Sequence, residues 1–257
     1  IARHLRKRGY NVIDSEPAPT HMPDSVAGKF GYGLFSARFG NIYAVQQLLQ
    51  ITEEALANDP LEEALAVWEM RGRFVDAMRP SVEPEGLDSP AEVMAHRAQH
   101  LGAVRRVLRS ADIFVFTLGL TEGWRDRKTK TIWPTAPGTV AGSYDPELHE
   151  FHNAGFTEIF EQFERFRELV KEKNPNIKFL LTVSPVPLTA TASDQHVLVA
   201  TTYSKSVLRA VGGELAAKYD DVDYFPSYEL VASPISRAEM YEPNLRTVRS
   251  DGVDTVM

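Results

Sequence analysis

Ile113 to Trp124 reads IFVFTLGLTEGW, an apolar run that breaks into a Gly-containing polar turn. Its first six residues, Ile113 to Leu118, carry β-branched and aromatic side chains with no polar alternation, so neither face of the segment is marked as wet. This predicts a buried strand from the middle of a sheet, delivering a loop. In an open α/β sheet ligands gather outside the carboxyl ends of the strands, so Gly119, Leu120, Thr121 and Glu122 are the first place to look for function. The plain alternative is a strand-to-loop corner with an incidental Glu.

Upstream of this strand, residues 1 to 8 (IARHLRKR) predict a short basic helix, stopped by Gly9 and followed by a strand over Tyr10 to Ile13. A helix ahead of any strand suggests a chain that starts after a first strand and its turn. Prolines in Asp14 to Pro23, and glycines and aromatics in Gly28 to Gly40, predict loops at the surface or lining a site. Apolar spacing predicts helices over Ala44 to Ala57 and from Asp59-Pro60 to about Val75, then a Pro-rich loop over Met78 to Pro90. Ser89 followed by Pro90 caps a further helix, whose buried stripe is Val93, Met94, Arg97, Leu101, Val104 and Leu108.

Downstream, Arg125 to Glu150 contains Pro134, Pro137, Gly138 and Gly142 and reads as a long excursion. Phe156 to Val170 is a strongly periodic helix, Phe179 to Val183 a strand stopped by Ser184-Pro185, and Leu188 to Ala200 a loop. A helix over Tyr203 to Tyr219 and a strand over Val222 to Phe225 follow. Strands at 10, 113, 179 and 222 with helices between them predict one α/β domain over residues 1–257. Its parallel sheet would be covered on both faces, a three-layer α/β/α fold.

Composition narrows the function. The chain is 43% hydrophobic and 25% charged, an ordinary globular balance. A formal charge of −7 and a pI near 5.6 argue against a general nucleic-acid binder. There is no cysteine, hence no disulfide and no thiolate metal site. No apolar run approaches the ~20 residues that cross a bilayer. Cytoplasmic is the default expectation, because the chain opens on Ile and a targeting segment ahead of it would lie out of view. His4, His96 and His100 fall on predicted helices and read as surface or packing residues. His149 and His152, with Asp145 and Glu150 nearby, lack an i, i+4 pair, so neither a metal nor a cofactor is expected. Asp76 and Arg79 read as a solvated pair at a helix end. Tyr203, Ser204 and Lys205 open a predicted helix, and Ser204-Lys205 lacks the S-x-x-K spacing of Ser–Lys acyl enzymes.

Five strings carry a resemblance: FGNIY (Phe39 to Tyr43), FTLGLTEGW (Phe116 to Trp124), NPNIKFLLTVSPVPLTAT (Asn174 to Thr191), HVLVATTYSKSVLRAV (His196 to Val211) and YFPSYE (Tyr224 to Glu229). Together they resemble the GSCFA family, named for a Gly-Ser-Cys-Phe-Ala motif near its amino terminus and grouped with the SGNH/GDSL hydrolases. The resemblance runs over essentially the whole chain. It implies an SGNH-type sheet of flavodoxin-like order, with the first strand, the naming motif and the serine nucleophile lying before residue 1.

It also implies oxyanion or substrate-binding positions at Gly40 with Asn41 and at Gly119 with Thr121. Thr121 stands where the pattern has Asn, and a hydroxyl donates one hydrogen bond with less fixed geometry than an amide. The Asp-x-x-His block reads Asp251-Gly252-Val253-Asp254, without its His. His196, beyond the Ser184-Pro185 strand end, is therefore the candidate base, with Asp251 or Glu122 to orient it. The function this implies is a serine-dependent acyl-ester hydrolase or O-acyltransferase acting on an acylated carbohydrate or small ester. The alternative is a carbohydrate- or ligand-binding module that keeps the fold without catalysis, to which Thr121 and Asp254 point. The partner is a small molecule, with no nucleic acid, no membrane span and no cofactor implied.

Overall fold

The structure, a computed structural model, describes residues 1–57 and 59–257. In chain order the helices and strands are α1 (Ala2–Lys7), α2 (Asp24–Lys29), α3 (Val45–Ala57), α4 (Glu63–Ala66), β1 (Val67–Met70), β2 (Arg73–Asp76), α5 (Pro90–Ser110), β3 (Ile113–Leu118), β4 (Glu122–Asp126), β5 (Ile132–Trp133), β6 (His149–Asn153), α6 (Phe156–Lys173), β7 (Lys178–Val183), α7 (Val197–Lys218), β8 (Val222–Tyr224), α8 (Ser227–Ala232) and α9 (Ser250–Val256). The fold is mixed α/β and contains a three-stranded parallel sheet flanked by helices, consistent with the three-layer expectation. The chain forms two compact units. One comprises Ile1–Ala111, Gly123–His152 and Phe163–Pro175, and the other Asp112–Glu122, Asn153–Gln162 and Asn176–Met257.

The second unit holds the parallel sheet, in the order β3-β7-β8, with Phe116 opposite Leu181, Leu118 opposite Val183 and Leu181 opposite Tyr224. Because side chains alternate along a strand, these residues share one face. Helix α7 covers that face: a methyl group on Gly212 would lie 3.2 Å from the Tyr224 ring and 3.5 Å from Leu118. Thr182 points to the opposite face, where its hydroxyl meets that of Ser227 on α8. Both faces are thus covered, as the apolar runs of β3 and β7 require. The decisive strand runs over Ile113–Leu118 as expected, but it lies at an edge of this sheet rather than in its middle.

The strand expected over Tyr10 to Ile13 does not form. Tyr10 is 64% exposed and its N–H turns back to the Leu5 carbonyl at 3.1 Å, closing the end of α1. β propensity needs a partner strand to express it, and no strand of the described residues pairs with this segment.

The first unit is built on α5. Ser89 accepts from the Glu92 N–H at 3.3 Å while the Glu92 carboxylate takes the Asp88 N–H at 2.9 Å, which starts the helix where the sequence places it. Its buried face includes Val93, Arg97, Leu101, Val104 and Leu108 as expected, and adds His100, Ala103 and Val107. Helix α3 and the hairpin β1-β2 pack on it.

That hairpin corrects the helix expected from Asp59 to Val75, of which only Glu63–Ala66 is helical. Arg71 (φ 54°) and Gly72 (φ 78°) form the two-residue turn with both central residues left-handed that joins tightly paired strands. Asp76 and Arg79, expected as a solvated pair, are buried at the end of its second strand and just past it. The expected excursion at Arg125 to Glu150 is likewise partly ordered as strands, in the sheet β5-β4-β6. There Glu150 is held by Arg125 (2.7 Å) and Lys130 (3.0 Å), and His149 Nδ1 accepts the Asp145 N–H. Trp68 and Trp133, 5.7 Å apart, centre a core cluster with Val75, Ala77 and Ala141. No helix of the described residues is long and apolar enough to cross a membrane.

Candidate active site

The loop leaving β3 is fixed from several directions within the second unit. The Ser184 N–H donates to the Leu118 carbonyl and the Ala154 N–H to the Thr121 carbonyl, both at 2.9 Å. From α7, Lys205 Nζ donates to the Gly119 carbonyl at 2.7 Å, and Ser204 Oγ accepts the Thr121 N–H at 3.2 Å. Lys205 is 2% exposed and no carboxylate among the described residues pairs with it. Burial penalises the ammonium and pushes the amine down to about 8. The Thr121 hydroxyl is buried with no hydrogen-bond partner among the described residues. Since the Thr121 N–H is already bonded, Oγ1–H is the donor this residue has available.

Glu122 follows at the start of β4, half-buried, with Oε1 accepting the Thr191 hydroxyl at 2.8 Å. The Thr191 hydroxyl is held in turn by Ser193, whose N–H donates to it at 3.0 Å. Among the described residues no cation balances the Glu122 carboxyl, and its pKa is raised by burial, with the Thr191 hydrogen bond opposing part of the shift. Such a group exchanges its proton nearer neutral pH than an ordinary glutamate does, which suits acid–base work.

His196 lies in a different setting from the loop expected for it. Helix α7 begins at Val197, six residues before the expected start at Tyr203, and His196 is its N-cap, with Nδ1 accepting the Leu198 N–H at 3.2 Å. A neutral imidazole that accepts at Nδ1 carries its proton on Nε2, so its outer nitrogen is a donor while the cap holds. Tyr203, Ser204 and Lys205 are therefore interior to the helix rather than opening it. Asp251, in the first turn of α9, is gripped by Arg249 through Nε (3.0 Å) and Nη2 (2.8 Å). Glu122 is thus brought together with Thr191, five residues short of His196, while Asp251 is held by Arg249 and the Gly252 N–H.

Gly40 and Asn41 belong to the first unit, ahead of α3. Gly40 has φ +67°, and a methyl group there would lie 2.9 Å from Arg79 Cβ and 3.3 Å from its Cα, so close backbone approach sets the glycine. Asn41 is exposed and does not cap the helix. Gln47 does, its Oε1 accepting the Tyr43 and Ala44 N–H groups at 2.9 and 3.0 Å.

Sequence reasoning does not bring two side chains to the loop: Lys205 reads as opening a helix, and Thr191 is not singled out. Lys205 carried a usable signal, because Leu208, Val211, Gly212 and Leu215 mark the buried stripe of α7 and a lysine one turn before them sits in it. Thr191 carried none, lying in a polar loop with no period. Among the described residues no group of three or more His, Asp or Glu stands within reach of a single metal ion. A comparison with curated proteins finds no match. The family model that describes the GSCFA family matches residues 1–257, the entire chain, and on that match the chain belongs to the GSCFA family.

Proposed function

We propose that this GSCFA chain hydrolyses or transfers the acyl group of an acylated carbohydrate or other small ester, with the chemistry at the loop that leaves β3. The observation that carries this reading is the half-buried Glu122 carboxyl, hydrogen-bonded to a hydroxyl, without a balancing cation, at the carboxyl end of a buried parallel strand. Glu122 is the acid–base group, accepting the proton of the attacking hydroxyl and returning it to the leaving alcohol. The unpaired Thr121 hydroxyl donates to the oxygen on which charge develops. Lys205, bonded to the Gly119 carbonyl, polarises the Gly119–Leu120 peptide and makes its N–H a stronger donor. His196 is the second base candidate and serves only when its cap to Leu198 is released. The resemblance to SGNH hydrolases supports the reaction class, and function on a shared fold is argued from the site.

A second reading, a ligand-binding module without turnover, is favoured by the partners His196 and Asp251 already hold. Turnover of p-nitrophenyl acetate by the full-length protein separates the two. The enzyme reading expects hydrolysis that falls roughly 100-fold or more in Glu122→Gln. Undiminished turnover in that variant removes Glu122 from the mechanism, and no turnover in either protein favours the binding module.

A further inference from the structure

The loop between β7 and α7 sends a row of polar groups to Glu122, all of them within the second unit. Thr191 Oγ1 donates to Glu122 Oε1 at 2.8 Å. An ionised carboxylate only accepts, so the one hydroxyl hydrogen of Thr191 is engaged there. Thr191 Oγ1 also lies 2.8 Å from Ser193 Oγ and accepts the Ser193 N–H at 3.0 Å. With the Thr191 hydrogen pointing at Glu122, the Ser193 hydroxyl has to be the donor of the pair. Its oxygen accepts the Gln195 N–H at 3.4 Å. The chain therefore has one direction, from Gln195 N–H to Ser193 O–H to Thr191 O–H to Glu122, and each donor polarises the next.

This direction makes the two oxygens of Glu122 unequal. A hydroxyl oxygen has two acceptor positions, and those of Thr191 are taken by the Ser193 N–H and O–H. A proton on Oε1 would find no acceptor at Thr191 and would break the chain. Oε2 has no hydrogen-bond partner among the described residues and is not sealed inside. A proton placed on Oε2 leaves every link of the chain intact.

We infer that Thr191 is a positioning residue for the reaction proposed at the β3 loop: with Ser193 it forms a hydroxyl relay that holds Glu122 Oε1 and reserves Oε2 for proton transfer. The inference rests on the reading of Glu122 as the acid–base group. The proton of the attacking hydroxyl passes to Oε2 and returns from Oε2 to the leaving alcohol, while Thr191 and Ser193 keep their own protons. Burial raises the Glu122 pKa and the Thr191 hydrogen bond lowers it, and no charged side chain among the described residues contributes. Removing the relay leaves burial unopposed.

The test follows the ¹³C resonance of Glu122 Cδ as the full-length protein is titrated, and p-nitrophenyl acetate turnover over the same pH range. In Thr191→Val, which keeps the shape and removes the hydroxyl, the midpoint should rise by about one unit or more. Ser193→Ala, which weakens the donor without removing it, should raise the midpoint by less, and Thr191→Ser should bring it back. The rising limb of kcat/KM should move with the midpoint. In Thr191→Val kcat should also fall roughly tenfold while KM stays within about twofold. A hydroxyl that only fastens the loop would move neither midpoint nor limb. A midpoint in Thr191→Val equal to that of the unsubstituted protein overturns the relay, whatever the turnover. A limb that persists in Glu122→Gln, or absence of turnover in the unsubstituted protein, overturns the catalytic role together with the reading of Glu122 beneath it, even where the midpoint shifts.

Discussion

The Glu16–His100 pair, a carboxylate 2.6 Å from Nδ1 of a buried imidazole, makes the stability of the first unit depend on pH in a way one substitution should remove. The imidazole titrates at about 4 in the folded chain against 6.5 when unperturbed. The unfolded chain therefore takes up this proton first as pH falls, and the stability contributed by the neutral imidazole is complete above 6.5 and lost on the way down to 4. A shift of this size corresponds to on the order of 3 kcal/mol in all, of which about 2 kcal/mol is lost between pH 7 and pH 5. Glu16, lowered from 4.5 to about 2, has the same sign but acts below that interval. His100→Asn keeps an amide donor for Glu16 and cannot titrate. Urea unfolding followed by tryptophan fluorescence reads the correct part of the chain, because Trp68, Trp124 and Trp133 all belong to the first unit. Between pH 7 and pH 5 the unsubstituted protein should lose about 2 kcal/mol more than His100→Asn. Equal losses in the two proteins would refute the assignment of a neutral, buried imidazole.

Other substitutions test other links. Arg97→Met leaves Glu54 without its cation and Asp76 with Arg79 alone, and should cost about 3–5 kcal/mol in urea unfolding, whereas a loss under ~1 kcal/mol would mean the cluster is solvated. Gly40→Ala places a methyl against the Arg79 backbone at positive φ and should cost about 2 kcal/mol or more, with a neutral outcome counting against the close approach. His196→Ala should lower stability by ~1 kcal/mol through the lost cap, and His196→Asn should restore it. Ester turnover that falls in both variants would instead make His196 the base.

Much of the fold was legible because it rests on periodicity. The runs of β3 and β7 and the stripes of α3, α5 and α6 are set by local burial, which the sequence displays directly. The hairpin over Val67–Asp76 was misread because its apolar residues also satisfy a helical spacing, while the deciding signal was the Arg71-Gly72 turn. The early start of α7 was hidden because Leu198 and Val199, at 67% and 55% exposed, are apolar without being buried. The loop after β3 was found from the strand that delivers it. Its partners were not, since Thr191 and Lys205 arrive from 69 and 86 residues away, distances over which no pattern in a single chain reports contact. Arg97 was legible as a member of a buried stripe, but Glu54 and Asp76, 43 and 21 residues distant, became its partners only through folding.

The pH–rate profile of p-nitrophenyl acetate hydrolysis by the full-length protein and by Glu122→Gln tests the central claim most directly. With Glu122 as base, kcat/KM rises through an ionisation lying above the ordinary glutamate range, because burial favours the protonated carboxyl. In Glu122→Gln that limb should disappear and the plateau fall roughly 100-fold or more. A Glu122→Gln protein that keeps both the limb and the plateau would contradict the assignment of acyl-ester chemistry to the loop that leaves β3.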